Sequence, residues 1–349
     1  MNYKVIGLMS GTSLDGLDIA CCEFSLDDGR WNYKIHCAET VPYSDDWKKR
    51  LSTLETGSAL EYVTTDIEYG HLLGELARDF ITRHNLEVAF IASHGHTIFH
   101  QPGKRITSQI GRGSAISAEA GLPVVCDFRS LDVALGGQGA PLVPIGDALL
   151  FSEYGYCLNI GGFANISLQR ENKRVACDIC PANIVMNQLA GLSGYEYDPE
   201  GMMAASGTIN AELLAKLNGL PYYRLAFPKS LGKEWVIENI HPILNQSGIP
   251  VNDQLATFCE HIAMQVGSAT TPGEGSKLFI TGGGAFNTYL IERIRHYSQA
   301  EIILPDANTI NYKEALIFAF LGVLRWRNDI NCLKSVTGSA KDSSGGAIY

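Results

Sequence analysis

Two apolar runs folded about a small-residue turn occur twice in this chain, and that recurrence constrains the fold more than any other feature. In the first instance Tyr3 to Met9 and Leu17 to Phe24 flank Ser10-Gly11-Thr12-Ser13-Leu14-Asp15-Gly16. In the second, Tyr156 to Ile160 and Ala164 to Leu168 flank Gly161-Gly162. β-rich apolar runs separated by Gly, Ser and Asp read as β-hairpins. Identity between the halves is too low to establish a repeat by itself, but each hairpin is followed by the same alternation of helical spacing and short strands.

Residues 44–86 carry Leu and Ile at helical spacing among charges. Ala89-Phe90-Ile91-Ala92 reads as a short buried strand, a helix is expected around Ser114–Ala120, and Pro123 to Cys126 reads as another strand. In the second half Arg174 to Cys177 and Lys277 to Ile280 read as strands, with a helix starting near Asn287 and a buried helix from Ala315 to Trp326. Strands alternating with helices give an α/β layered fold. At 349 residues the chain exceeds the roughly 250–300 at which one core stops growing. Two domains are therefore expected, 1–145 and 146–349, with the crossover near Gly136-Gly137-Gln138-Gly139-Ala140-Pro141, between about residues 130 and 150. The Gly/Ser-rich stretch Thr337 to Gly346 is expected to be a mobile or ligand-covering loop, in a tail able to pack back on the first domain.

Composition excludes several classes. Hydrophobic residues at 46% and charged residues at 18% supply ample core and argue against disorder. A net charge of −10 disfavours nucleic acid, because neutralising phosphates needs clustered Lys and Arg. It leaves room for an anionic nucleotide held by backbone N–H groups. The nine cysteines are odd in number and scattered, unlike a secreted disulfide framework. Cys177-Asp178-Ile179-Cys180 lacks the second ligand pair of a zinc site. With no signal-like N-terminus and no apolar stretch of about 20 residues, the chain reads as cytoplasmic, with reduced thiols and no membrane partner.

Several residues could carry chemistry. The turn from Gly11 to Gly16 offers backbone N–H groups, two hydroxyls and a carboxylate, which suits a phosphate with a Mg²⁺–water cluster. It is not a Walker A loop, since no Lys-Ser/Thr pair follows the last glycine; an ordinary hairpin turn is the plain alternative. Gly282-Gly283-Gly284, between a strand and a helix, could receive an adenosine or a phosphate. Asp178 leads from a strand-like run toward a helix, where a carboxylate can act as a base or simply favour the helix N-terminus. Asp127, Arg129 and Asp132 suggest a structural Asp–Arg pair. His94 and His96 could share a strand face and chelate, yet no carboxylate or thiol completes a set, so no metal ligand is assigned. Asp198 reads as a cap or a supporting contact, and Glu314 as the charged start of an apolar helix or a ligand contact.

In combination these segments resemble the anhydro-N-acetylmuramic acid kinases, members of the sugar kinase–Hsp70–actin superfamily. The resemblance runs through Gly7-Leu8-Met9-Ser10-Gly11-Thr12-Ser13-Leu14-Asp15-Gly16, Ser93-His94-Gly95-His96-Thr97-Ile98, Asp127-Phe128-Arg129, Gly136 to Pro144, Asn159-Ile160-Gly161-Gly162, Pro228-Lys229-Ser230-Leu231-Gly232, Gly282-Gly283-Gly284-Ala285-Phe286-Asn287 and Ser335-Val336-Thr337-Gly338. It implies two RNase H-like domains of the actin and sugar-kinase type flanking a nucleotide cleft, with ATP and Mg²⁺ as cofactors. By the same resemblance Gly11, Thr12, Ser13, Leu14, Asp15, Gly16, Leu17 and Asp18 form a first phosphate loop, and Gly161 and Gly162 a second. Gly282, Gly283, Gly284 and Asn287 receive the adenosine, while His94, Thr97, Asn183 and Glu314 face the sugar. Asp178 stands at the catalytic aspartate. The implied reaction opens 1,6-anhydro-N-acetylmuramic acid with water and phosphorylates O6, in peptidoglycan recycling; a homodimer is the one assembly considered. The family usually reads Asp-x-Gly-Pro-Gly-Asn after the catalytic strand, and Cys180 and Ala182 replace both glycines here. A same-fold kinase for another sugar and a non-catalytic ATP-binding regulator are the competing readings. A dinucleotide oxidoreductase is disfavoured, because no GxGxxG follows a strand with an acidic residue about 20 positions on.

Overall fold

The first apolar run forms a strand in which Val5 to Ser10 are all buried, the pattern of a central strand covered on both faces. The computed structural model containing it describes residues 2–11, 13–170, 173–227, 229–270 and 276–349. Thr12 of the expected phosphate loop and Pro228 of a quoted motif lie outside the described residues. The chain divides into a first unit, residues 1–151 with 312–349, and a second, residues 152–311.

In chain order the first unit carries β1 (Asn2–Ser10), β2 (Gly16–Asp27), β3 (Arg30–Pro42), β4 (Ile91–Ser93), β5 (His96–Gln101), β6 (Ile106–Ile110) and β7 (Val124–Cys126). The second carries β8 (Tyr156–Ile160), β9 (Phe163–Arg170), β10 (Lys173–Pro181), β11 (Lys277–Thr281) and β12 (Glu301–Ile303), after which β13 (Ala347–Ile348) returns to the first. The sheets run β13-β7-β4-β1-β2-β3 and β10-β9-β8-β11-β12, with β5 and β6 a separate hairpin. In each, a three-strand antiparallel meander is extended on its first strand by two parallel strands. The two sheets thus share one plan, that of an RNase H-like fold, and the α/β class holds.

Each sheet closes on its own core. Ile6, Leu8, Leu17 and Ile19 meet Tyr69, Leu73 and Phe80 in the first unit. Leu158, Ile166, Phe258, Ile262 and Leu278 anchor the second. The helix Ala307–Trp326 holds the chain boundary, with Tyr312 non-helical at φ −114°. Its later part lies so close to β1 that a Cβ on Gly7 would sit 2.1 Å from the Ala315 carbonyl oxygen. Only glycine admits that approach.

Three expectations change. The helical stretch 44–86 is two helices, Asp45–Thr53 and Ala59–Arg83, because Ser58 and Glu61 form a capping box that restarts the helix after Gly57. Asp178 lies inside β10 rather than at a helix start, since the next helix begins at Asn183. The tail is not a mobile loop. Thr337 Oγ1 donates to Asp132 (2.7 Å), Gln138 N donates to Thr337 O (2.8 Å), the Asn331 amide brackets Gly345 (2.7 and 2.8 Å), and β13 pairs with β7. The tail completes the first unit, which takes in residues 312–349, and the second unit begins at residue 152.

Candidate active site

In the first unit the β1–β2 turn is shaped by Leu14, left-handed at φ 62°. Its N–H reaches Gly11 O at 3.4 Å. Ser13 and Asp15 are exposed and Gly11 half-buried, whereas Gly16 and Leu17 pack inward. Asp18 pairs with Met9 across the hairpin and accepts from Thr40 Oγ1 at 2.6 Å. Burial raises its proton affinity, Thr40 opposes that and Asp15 adds to it. Glu314, in the helix interior rather than at its start, also binds its proton more tightly than usual. Burial is the main cause and Asp18 adds to it, with Arg129 and Lys313 opposing.

His94 lies between β4 and β5, with Nδ1 2.9 Å from Gly95 O and Nε2 accepting from Arg129 Nε at 3.0 Å. That pattern fixes a neutral ring protonated on Nδ1. Burial, helped by the Arg129 charge, holds its pKa well below the usual histidine value. His96 instead contacts Ser10 Oγ through Nδ1 (2.9 Å), and burial pushes it down to about 4. The two rings therefore serve different partners, and among the described residues no cluster of three or more His, Cys, Asp or Glu could hold a metal. Thr97 Oγ1 accepts from Gln109 at 3.3 Å. Arg129 forms the expected structural pair with neither Asp127 nor Asp132, the latter accepting from Gly139 N and Thr337 Oγ1. Asp127, itself left-handed at φ 57°, accepts from Ser130 N, while Arg129 donates to Gly139 O at 2.6 Å.

In the second unit, residues paired across strands line one row: Thr281, Asn159, Asn165 and Asp178 are successive partners on β11, β8, β9 and β10. Ile179 bulges out of the ladder, so the register shifts between Asp178 and Cys180. Asp178 Oδ1 accepts from the Asn165 amide and Oδ2 from Leu231 N at 2.7 Å. Burial lifts its proton affinity above that of an ordinary aspartate; the two hydrogen bonds oppose the lift. Cys180 and Ala182 are fully buried and neither is left-handed, so neither position calls for glycine on account of a positive φ. The turn beyond them is tied to the β8–β9 turn, with Ala182 N bonding Gly162 O (2.8 Å) and Asn183 N bonding Gly161 O (3.1 Å). The Asn183 amide reaches Ile160 O at 3.3 Å.

The glycine turn after β11 divides into two kinds. Gly282, at φ 82°, and Gly284 are required by packing, since an added Cβ would fall 2.6 Å from Asn159 Oδ1 and 2.2 Å from Ile160 Cγ2 respectively. Gly283 is exposed, and its Cβ would meet nothing nearer than Asn183 Nδ2 at 3.6 Å. Asn287 is buried and spends its side chain capping the next helix, accepting from Leu290 N at 2.9 Å. Asp198 is likewise a cap, accepting from Met203 N and Ala204 N. Asn165, Tyr222, Lys229 and Leu231 were not expected around Asp178. Asn165 had a signal, because it and Asn159 lie equally far from Gly162 and must pair if the hairpin closes there.

The family model described as anhydro-N-acetylmuramic acid kinase matches residues 3–349. A protein of that name from Sulfurimonas denitrificans is 33% identical with both chains covered in full. Those from Hydrogenovibrio crunogenus and Vibrio cholerae are each 34% identical, over 99% of this chain and 97% of theirs. The activator of the 2-hydroxyisocaproyl-CoA dehydratase from Clostridium difficile, solved with bound ADPNP, covers 93% of this chain and 97% of its own. At 13% identity and a TM-score of 0.45 it is too distant to bear on function. Full-length matches at this level settle the grouping: the chain belongs to the anhydro-N-acetylmuramic acid kinase family.

Proposed function

We propose that this chain is an ATP-dependent kinase acting on 1,6-anhydro-N-acetylmuramic acid, in cytoplasmic reuse of peptidoglycan fragments. The family match carries the reading, because it spans residues 3–349 and so includes every candidate site residue. Asp178 is the base. Its carboxylate takes a proton from water as the water oxygen bonds C1 of the sugar and the C1–O6 bond breaks. O6 takes the γ-phosphoryl group and ADP leaves. Desolvation makes Asp178 a stronger base than a solvated aspartate.

Asp18 and Glu314 fit a hard cation, which one or two carboxylates together with nucleotide phosphates commonly hold. Their proton affinities are raised in a partly buried setting, and positive charge there would relieve both. Bound with ATP, Mg²⁺ would spread the negative charge of the transferring phosphoryl group. Backbone N–H groups at the half-buried Gly11 and at the exposed Gly162 and Gly283 would hold phosphates or the nucleoside, Gly161, whose N–H bonds Phe163 O, would shape its turn, and His94, Thr97 and Asn183 would contact the sugar.

ADP release with Mg²⁺-ATP tests the reading, with 1,6-anhydro-N-acetylmuramic acid set beside levoglucosan, N-acetylmuramic acid, N-acetylglucosamine and glucose. Release with the first sugar alone is expected. Release with another would move the substrate, and silence despite ATP binding would remove the kinase. The glycine turn offers a second check. Gly283→Val should raise the KM for ATP about tenfold, a loss near 1.4 kcal/mol, without lowering the melting temperature, since the protein leaves room for the side chain. Gly282→Val should instead destabilise the fold.

A further inference from the structure

β10 is the edge of its sheet, and both backbone groups of Asp178 point away from β9. The N–H donates to Lys229 O at 3.1 Å and the carbonyl accepts from the Tyr222 hydroxyl at 2.7 Å. In an antiparallel ladder a residue turned outward in this way forms a non-hydrogen-bonded pair with its partner, the kind in which side chains approach most closely. That partner is Asn165, and its amide accordingly meets Oδ1. Leu231 N, on the segment that covers the edge, takes Oδ2. The segment is tied to itself, because the Lys229 ammonium lies 4.6 Å from the centre of the Tyr222 ring and 3.3 Å from the Tyr222 carbonyl oxygen.

We propose that Asn165, Tyr222, Lys229 and Leu231 are positioning residues for Asp178, fixing the direction of its carboxylate while leaving each oxygen a lone pair for the reacting water. An ionised carboxylate has about four acceptor sites, and two are taken here. The inference rests on the reading of Asp178 as the base. It adds that the base is aimed from a neighbouring strand and from a segment 44 to 53 positions downstream. The bulge at Ile179 belongs to the same device, since it shifts the register of the ladder one residue after the base, before pairing resumes at Cys180.

Asn165→Leu removes one hydrogen bond to the charged form, so the acid limb of kcat/KM should move up by about one pH unit. The freed carboxylate should lower kcat roughly 10- to 100-fold, with the KM for ATP unchanged. Tyr222→Phe keeps the ring and touches only the backbone, so it should lower kcat about tenfold with the acid limb in place; it carries the test if Asn165→Leu does not fold. The Asp178 carboxyl, read by ¹³C NMR in aspartate-labelled protein and assigned with Asp178→Asn, should titrate higher in Asn165→Leu. An unmoved titration together with unchanged kcat in both variants overturns the proposal. A higher titration in a protein whose wild type turns over no sugar would support the positioning and reject the kinase reading instead.

Discussion

Asp178→Asn should bind ATP as the wild type does and lose turnover by about a thousandfold, within the 10²–10⁴ that a positioned general base contributes. Asparagine keeps the shape of the side chain and one acceptor oxygen, so one of the bonds from Asn165 and Leu231 persists. What disappears is the group that receives the proton from water. The pH profile carries the sign. A base must be ionised, so wild-type kcat/KM should fall with acid as pH drops through a pKa above the ordinary aspartate value, the direction set by burial. Asp18 and Glu314 are shifted the same way by burial, so the limb belongs to Asp178 only where it is absent from the residual activity of Asp178→Asn. Calorimetric ATP binding alongside steady-state rates makes the comparison. Unchanged turnover would remove Asp178 from the chemistry.

The largest expected effect on stability lies elsewhere in the first unit. Lys313 Nζ and Asp147 Oδ1 form an ion pair at 2.8 Å with side chains only 5% and 4% exposed, and the ammonium lies 5.2 Å from the Phe151 ring centre. Removing one member of a buried pair strands the other charge in a medium that cannot solvate it, at a cost of about 3–5 kcal/mol. Lys313→Met should therefore lower the urea midpoint sharply. Lys313→Met with Asp147→Leu should recover much of the loss, since a buried pair and its apolar replacement are often close in stability. A double variant as unstable as the single would mean that the lysine stem, not the charge, matters there.

How much of this was legible in the sequence depended on the range of the interaction. Both hairpins were readable because Gly11 to Gly16 and Gly161-Gly162 announce their turns locally. Asp178 could be located only through the family resemblance, as its own neighbours equally suit a helix N-terminus. The residues that hold it had weaker signals or none: nothing near Tyr222 or Leu231 reveals that their hydroxyl and N–H belong to an edge strand far upstream. Arg129 misled for the opposite reason. Asp127 is its near neighbour in sequence, but the left-handed backbone at Asp127 turns it toward Ser130 N, and the guanidinium finds His94 and Gly139. The tail looked loose because it is rich in Gly and Ser, yet those small residues let it pack closely, as where an added Cβ on Gly345 would fall 2.8 Å from Phe128 O. Cys180 and Ala182 stand where the family usually has glycines, and the sequence alone could not show that both side chains are fully buried at positions without positive φ.

Because residues 312–349 complete the first unit, that unit cannot finish folding when its first 151 residues leave the ribosome. The whole of 152–311 must be made first, and at about 5–20 residues per second the wait for the last strand is on the order of ten to forty seconds. During that time β1 lacks the helix that lies against Gly7, and β7 lacks its edge partner β13. The second unit, contiguous in the chain, suffers no such delay. Synthesis therefore favours the order opposite to the sequence: the unit bearing Asp178 matures first, and the unit bearing the Gly11 turn is sealed last.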